Sequence, residues 1–152
     1  MNMGLSLNWR RRSLMGAALL AVTLINSSAA LAAAGGCHAF SGSYVQQAVP
    51  CLPAIVCVDA TITGDWQGVS HTVVTAYDPI TNTYTGQVTI TRDNGSVITA
   101  TIEGVAGSGV GVETITGGTR QFVGATGTIV ATGSPSVGTY SGQYCLPEDS
   151  GS

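Results

Sequence analysis

Between Val88 and Ile102 the chain alternates aliphatic residues with threonine on both sides of Asp93-Asn94-Gly95. Side chains along a strand point to opposite faces with a period of two, so this pattern predicts two half-buried strands joined by a tight turn. The turn length decides the pairing. A two-residue Asn-Gly turn pairs Ile90 with Thr99 and sets the aliphatic face of one strand against the threonine face of the other. A three-residue loop, with Gly95 left-handed in a bulge, pairs Arg92 with Ser96, Ile90 with Ile98 and Val88 with Ala100. Val88, Ile90, Ile98, Ala100 and Ile102 then share one face, and Thr89, Thr91, Thr99 and Thr101 share the other. The three-residue loop is the expected one, giving an aliphatic interior and a threonine-coated exterior.

The same short alternations recur between glycine-rich turns, with no helical period. They predict strands over 39–46, 58–63, 66–77, 84–92, 96–103, 110–116, 127–132 and 138–144, hence an all-β barrel or sandwich. The segment 66–77 does not keep a clean alternation, which predicts either a bulge or partial cover on both faces.

The first 32 residues have a different character. Arg10, Arg11 and Arg12 precede an uncharged stretch centred on 14–22 and ending in Ala29-Ala30-Leu31-Ala32. A basic start, a short apolar centre and an Ala-x-Ala end predict a signal peptide over 1–32, cut after Ala32 or, as second choice, Ala34. Thr23, Asn26, Ser27 and Ser28 keep the apolar run short of the roughly 20 residues that span a bilayer. Arg11-Arg12-Ser13-Leu14-Met15 also fits twin-arginine export, so the route stays open. The expectation is an exported protein, periplasmic or extracellular, with a β domain over 33–152 and no stable membrane insertion after cleavage.

After such a cut the chain keeps only Arg92 and Arg120 as cations against eight acids, a net charge of −6. Nucleic acid is a poor partner for so acidic a surface, because phosphate binding needs clustered Lys or Arg. Cys37, Cys51, Cys57 and Cys145 all follow the cut. An even cysteine count in an exported chain predicts two disulfides. Of three possible pairings, Cys51–Cys57 and Cys37–Cys145 are favoured. The first closes a short loop and the second ties the chain ends, which are neighbours in a closed barrel. The spacings lack a C-x-x-C pair, and His38 and His71 form no ligand cluster, so neither a metal nor another cofactor is expected.

Residues 115–127 read Ile-Thr-Gly-Gly-Thr-Arg-Gln-Phe-Val-Gly-Ala-Thr-Gly. This resembles the ITGGTGRFAGATG signature of bacterial secreted proteins that look like allene oxide cyclase and dirigent barrels. Gly64-Asp65-Trp66-Gln67-Gly68 and the flanking cysteines are similar to the same group. This chain departs from the signature where Arg120-Gln121 replaces Gly-Arg. The resemblance implies a single antiparallel eight-stranded barrel with an apolar cavity. It carries no catalytic residue onto this sequence.

The residues themselves offer candidates. Glu113 is in phase with Ile115 and is a candidate inward carboxylate, whereas Glu103 falls on the outward threonine face. A carboxylate in an apolar cavity has its pKa raised and can serve as an acid or base. Arg92 lies on the inner face at the hairpin mouth. Trp66 and Tyr140 are large enough to line an interior. Arg92, Glu113, Trp66 and Tyr140 are therefore the candidate ligand contacts, with Glu113 the candidate for catalysis. Arg120 is expected to pin a loop, and His71 to lie exposed. The G-x-S-x-G elbow is absent, since Ala106 stands two before Ser108.

Two functions fit. One is a secreted barrel that binds a small apolar molecule, orienting or cyclising it as a cyclase- or isomerase-like enzyme. The other is a structural or surface-associated β-protein with no small-molecule site. The presence of an apolar cavity distinguishes them.

Overall fold

The structure is a computed structural model that describes residues 36–147. The expected signal peptide and its cleavage site lie outside the described residues. Eight strands run in chain order: β1 (Cys37–Val49), β2 (Val56–Gly64), β3 (Gly68–Asp78), β4 (Thr83–Arg92), β5 (Val97–Val105), β6 (Val110–Gly118), β7 (Thr126–Gly133) and β8 (Val137–Cys145). Each pairs antiparallel with its neighbour, and β8 returns to β1 to close the barrel. Closure leaves no unpaired sheet edge.

The β4–β5 hairpin has the register its alternation dictates. Ile90 faces Ile98 and Val88 faces Ala100. Arg92 N–H donates to the Ser96 carbonyl at 2.9 Å, Gly95 N–H donates to the Arg92 carbonyl at 2.8 Å, and Gly95 has φ +75°. All five aliphatic residues of the hairpin are buried on one face. The departure from the signature at 120–121 has a local use. Arg120, in a short 3-10 turn over Arg120–Phe122, donates from Nη1 to the Asn94 carbonyl, and Gln121 Nε2 donates to Ser96 Oγ at 3.3 Å. Together they pin the 93–96 turn.

In the untidy segment the strand begins at Gly68, not at Trp66. Trp66 instead occupies the bend between β2 and β3 and is buried. The register against β4 then shifts between Val74 and Ala76. Ser70, Thr72 and Val74 face inward before that bulge, and Tyr77 faces inward after it. A bulge adds one residue to a strand and so reverses the phase.

The two ends of the barrel differ. At one end Phe40, Trp66, Phe122 and Tyr144 form a plug. Phe40 and Trp66 stack with ring centroids 3.8 Å apart, and Phe122 meets the Trp66 and Tyr144 rings edge-on. The Cys37–Cys145 disulfide joins β1 to β8 at this end. Cys51–Cys57 braces the connection from β1 to β2 at the other. That other end is formed by the connections 50–55, 79–82, 106–109 and 134–136.

Candidate functional site

Above the plug the barrel is hollow. A cavity of about 820 Å³ opens toward the four connections at the unplugged end. Its walls come from the alternating inward positions of the strands, among them Val58, Ala60, Ile62, Ile90, Ile102 and Ile129. An eight-stranded barrel is barely wide enough to hold more than its own side chains. Space remains here because several inward positions are small and because of where the aromatic rings lie.

Five of the rings on the strands face a glycine across the sheet. Phe40 pairs with Gly142, Tyr140 with Gly42, and Tyr44 with Gly138 between β1 and β8. Tyr84 pairs with Gly104, and Tyr144 with Gly127. A Cβ at Gly138 would fall 2.4 Å from the Tyr44 hydroxyl oxygen, and one at Gly42 would fall 2.4 Å from that of Tyr140. Only a residue without a side chain lets the ring lie along the wall instead of standing into the lumen.

Glu113 is the charged group in this space. It sits on β6 between Ile102 of β5 and Ile129 of β7, and its residue exposure is 9%. Among the described residues it makes no protein hydrogen bond. Burial among aliphatic neighbours pushes its carboxyl up to about 7. Loss of hydration disfavours the charged form, and no cation offsets it. Tyr44 and Tyr84 line the same cavity, and neither hydroxyl is engaged by another described residue. Partial burial, and then the charge on Glu113, push both phenols above their ordinary value.

The expected site residues separate into three groups. Glu113 lies in the cavity wall, as its phase with Ile115 requires. Trp66 and Tyr140 form the floor. The Tyr140 hydroxyl accepts from Trp66 N–H at 3.3 Å and faces the carbonyls of Trp66 and Thr63 at 2.9 and 3.1 Å, so its polar capacity is spent on backbone. Arg92 does not join them. Its guanidinium lies 5.6 Å from the Phe122 ring centroid, and Nη2 donates to the Asp65 carbonyl at 3.4 Å. Its place is in the plug, not in the cavity wall. Glu103 is exposed, and His71 pairs with Asp59 at 2.5 Å on the outer surface.

Sequence reasoning missed Tyr44 as a site residue and did not single out Tyr84. A signal was present. Phe40-x-Gly42-x-Tyr44 and Gly138-x-Tyr140-x-Gly142 are complementary when read antiparallel, each ring against a glycine.

No family model matches the sequence, and no curated protein does. Solved structures do match. The structure of a pterocarpan synthase dirigent protein aligns with 74% of this chain and 89% of its own, with a TM-score of 0.55 and 15% sequence identity. That likeness shows the fold, a dirigent-type eight-stranded barrel.

Proposed function

We propose that this chain is an exported binding barrel that holds a small, largely apolar molecule in its interior and fixes its orientation. The observation that carries the reading is the open cavity of about 820 Å³ with an unpartnered carboxylate in its aliphatic wall. Small-molecule sites are concavities of roughly 300–1,000 Å³, mostly apolar, with a few polar groups that set orientation. A barrel built only for durability gains nothing from burying an unpaired carboxylate, which costs free energy unless a partner arrives.

The rigid wall acts through shape and positioning, holding a flexible molecule in one folded conformation. Glu113, titrating near neutrality, is placed to give or take a proton there. The dirigent neighbour is a pterocarpan synthase. The shared fold supports a barrel that orients a reactant, and the reactant of this chain is its own. The signal-like first 32 residues and the two disulfides support export.

Native mass spectrometry of protein purified from its source tests the reading. The expected spectrum carries a second peak, heavier by one small molecule, that vanishes on denaturation. A single apo mass, together with no uptake of the neutral dye Nile red, overturns it.

A further inference from the structure

The cations of the described residues are confined to one end of the barrel, where Asp65 and Asp93 accompany them, and the open half carries acids alone. Both arginines stand at the plugged end: Arg92 at the foot of β4 and Arg120 in the 3-10 turn beneath the plug. The open half carries Asp78 at the end of β3, Glu103 near the end of β5, and Glu113 inside. No cation among the described residues lines the cavity. A molecule approaching the mouth therefore meets a negative field, and low-dielectric walls focus that field into the opening.

Inside, the only formal charge among the lining residues is again negative. Glu113 is about nine-tenths buried and unpartnered, and Tyr44 and Tyr84 stand close enough to feel its charge. A carboxylate held this way lacks a counter-charge. Phenol rings such as those of Tyr44 and Tyr84 in the same cavity suit a positive group better than an anion.

Resting on the reading of the cavity as a binding site, we propose that its ligands are cationic amphiphiles: an ammonium group seated beside Glu113, with the apolar remainder along the aliphatic wall. Carboxylate-headed amphiphiles of the same length are rejected. For them the head group meets Glu113 as a like charge with no cation to receive it, and such juxtapositions are strongly unfavourable when desolvated.

Calorimetric titration of the purified protein with three twelve-carbon probes tests this. Dodecyltrimethylammonium, dodecanoate and dodecanol share a tail and differ in charge. At about pH 8.5 Glu113 is ionised in the fold. The expected result is one ammonium probe per barrel, bound at least about tenfold more tightly than dodecanoate. Glu113→Gln should shrink that ratio to less than about threefold. Equal affinity for the two ions, or a ratio that survives Glu113→Gln, overturns the proposed ligand class. With dodecanol still bound, the cavity reading stands without it. Binding of none of the three probes overturns both. The wild-type ratio decides the matter by itself where the variant fails to fold.

Discussion

The Tyr84 ring lies against Gly104, its strand partner, so closely that a Cβ at Gly104 would fall 2.6 Å from the Tyr84 hydroxyl oxygen. All three atoms nearest that added carbon belong to the far end of the Tyr84 side chain. Gly104→Ala should therefore be absorbed by swinging the ring off the wall into the lumen. The expected stability change is about 1 kcal/mol or less, with affinity for any cavity ligand weakened about tenfold.

Gly138 and Gly42 make a contrasting pair. A Cβ at Gly138 would fall 2.4 Å from the Thr132 carbonyl oxygen, and one at Gly42 would fall 2.0 Å from that of Thr63. These neighbours are backbone and cannot rotate away. Gly138→Ala and Gly42→Ala should each cost about 2–4 kcal/mol. Urea unfolding of the three alanine variants, followed by tryptophan fluorescence, checks the order. A Gly104→Ala loss as large as the other two contradicts the wall geometry.

The two disulfides constrain the unfolded chain unequally. Cys37–Cys145 closes a loop of sequence separation 108, and Cys51–Cys57 one of 6. In the chain-entropy model the first is worth about 4–5 kcal/mol and the second about 2 kcal/mol. The Cys37→Ser/Cys145→Ser double variant should lose correspondingly more in denaturant midpoint than Cys51→Ser/Cys57→Ser. Equal losses would mean that unfolded-chain entropy is not what these bonds control.

The fold was legible because the β4–β5 hairpin admits one register. Shifting the turn by one residue would put Ile90 opposite Thr99, and the chain has too few large aliphatics to bear that. Glu113 was legible for the same reason: phase with Ile115 places it inside whenever the barrel forms. The cavity was not legible in that way. Its volume depends on rings lying flat over glycines, a relationship between strands far apart in sequence, as in Tyr44 against Gly138. Arg92 misled for a related reason. Alternation correctly put it on the inner face, but alternation does not say which end of a barrel is plugged. Phe122, brought in by a turn after β6, covers the Arg92 end.

Phe122 fills the plug with an exposure of 1%, packed against the Trp66 and Tyr144 rings and beside the Arg92 guanidinium. Phe122→Ala removes the ring and leaves a void that rigid strands cannot collapse into. A loss of about 3–5 kcal/mol is expected, while Phe122→Leu should cost less than half of that. Thermal unfolding of the two variants distinguishes this plug from a loosely packed cap, for which both losses would be small and similar.

Glu113 makes stability depend on pH in a direction opposite to that of an ordinary salt-bridged acid. In the unfolded chain its carboxyl titrates at its ordinary value of 4.5, and in the fold burial moves it to about 7. Below about pH 4.5 both states hold the proton and no penalty exists. Between the two values the folded state keeps a proton that the unfolded state releases, so stability falls as pH rises and levels off above about pH 7. The full span amounts to about 3 kcal/mol. Glu113→Gln keeps the shape and removes the titration. It should therefore match the wild type within about 1 kcal/mol at pH 4 and exceed it by about 2–3 kcal/mol at pH 8.5. The other acids titrate alike in both proteins, so the difference between their urea midpoints at the two pH values isolates this one side chain. A variant less stable than the wild type at pH 8.5 would mean that the carboxylate has a stabilising partner in the fold.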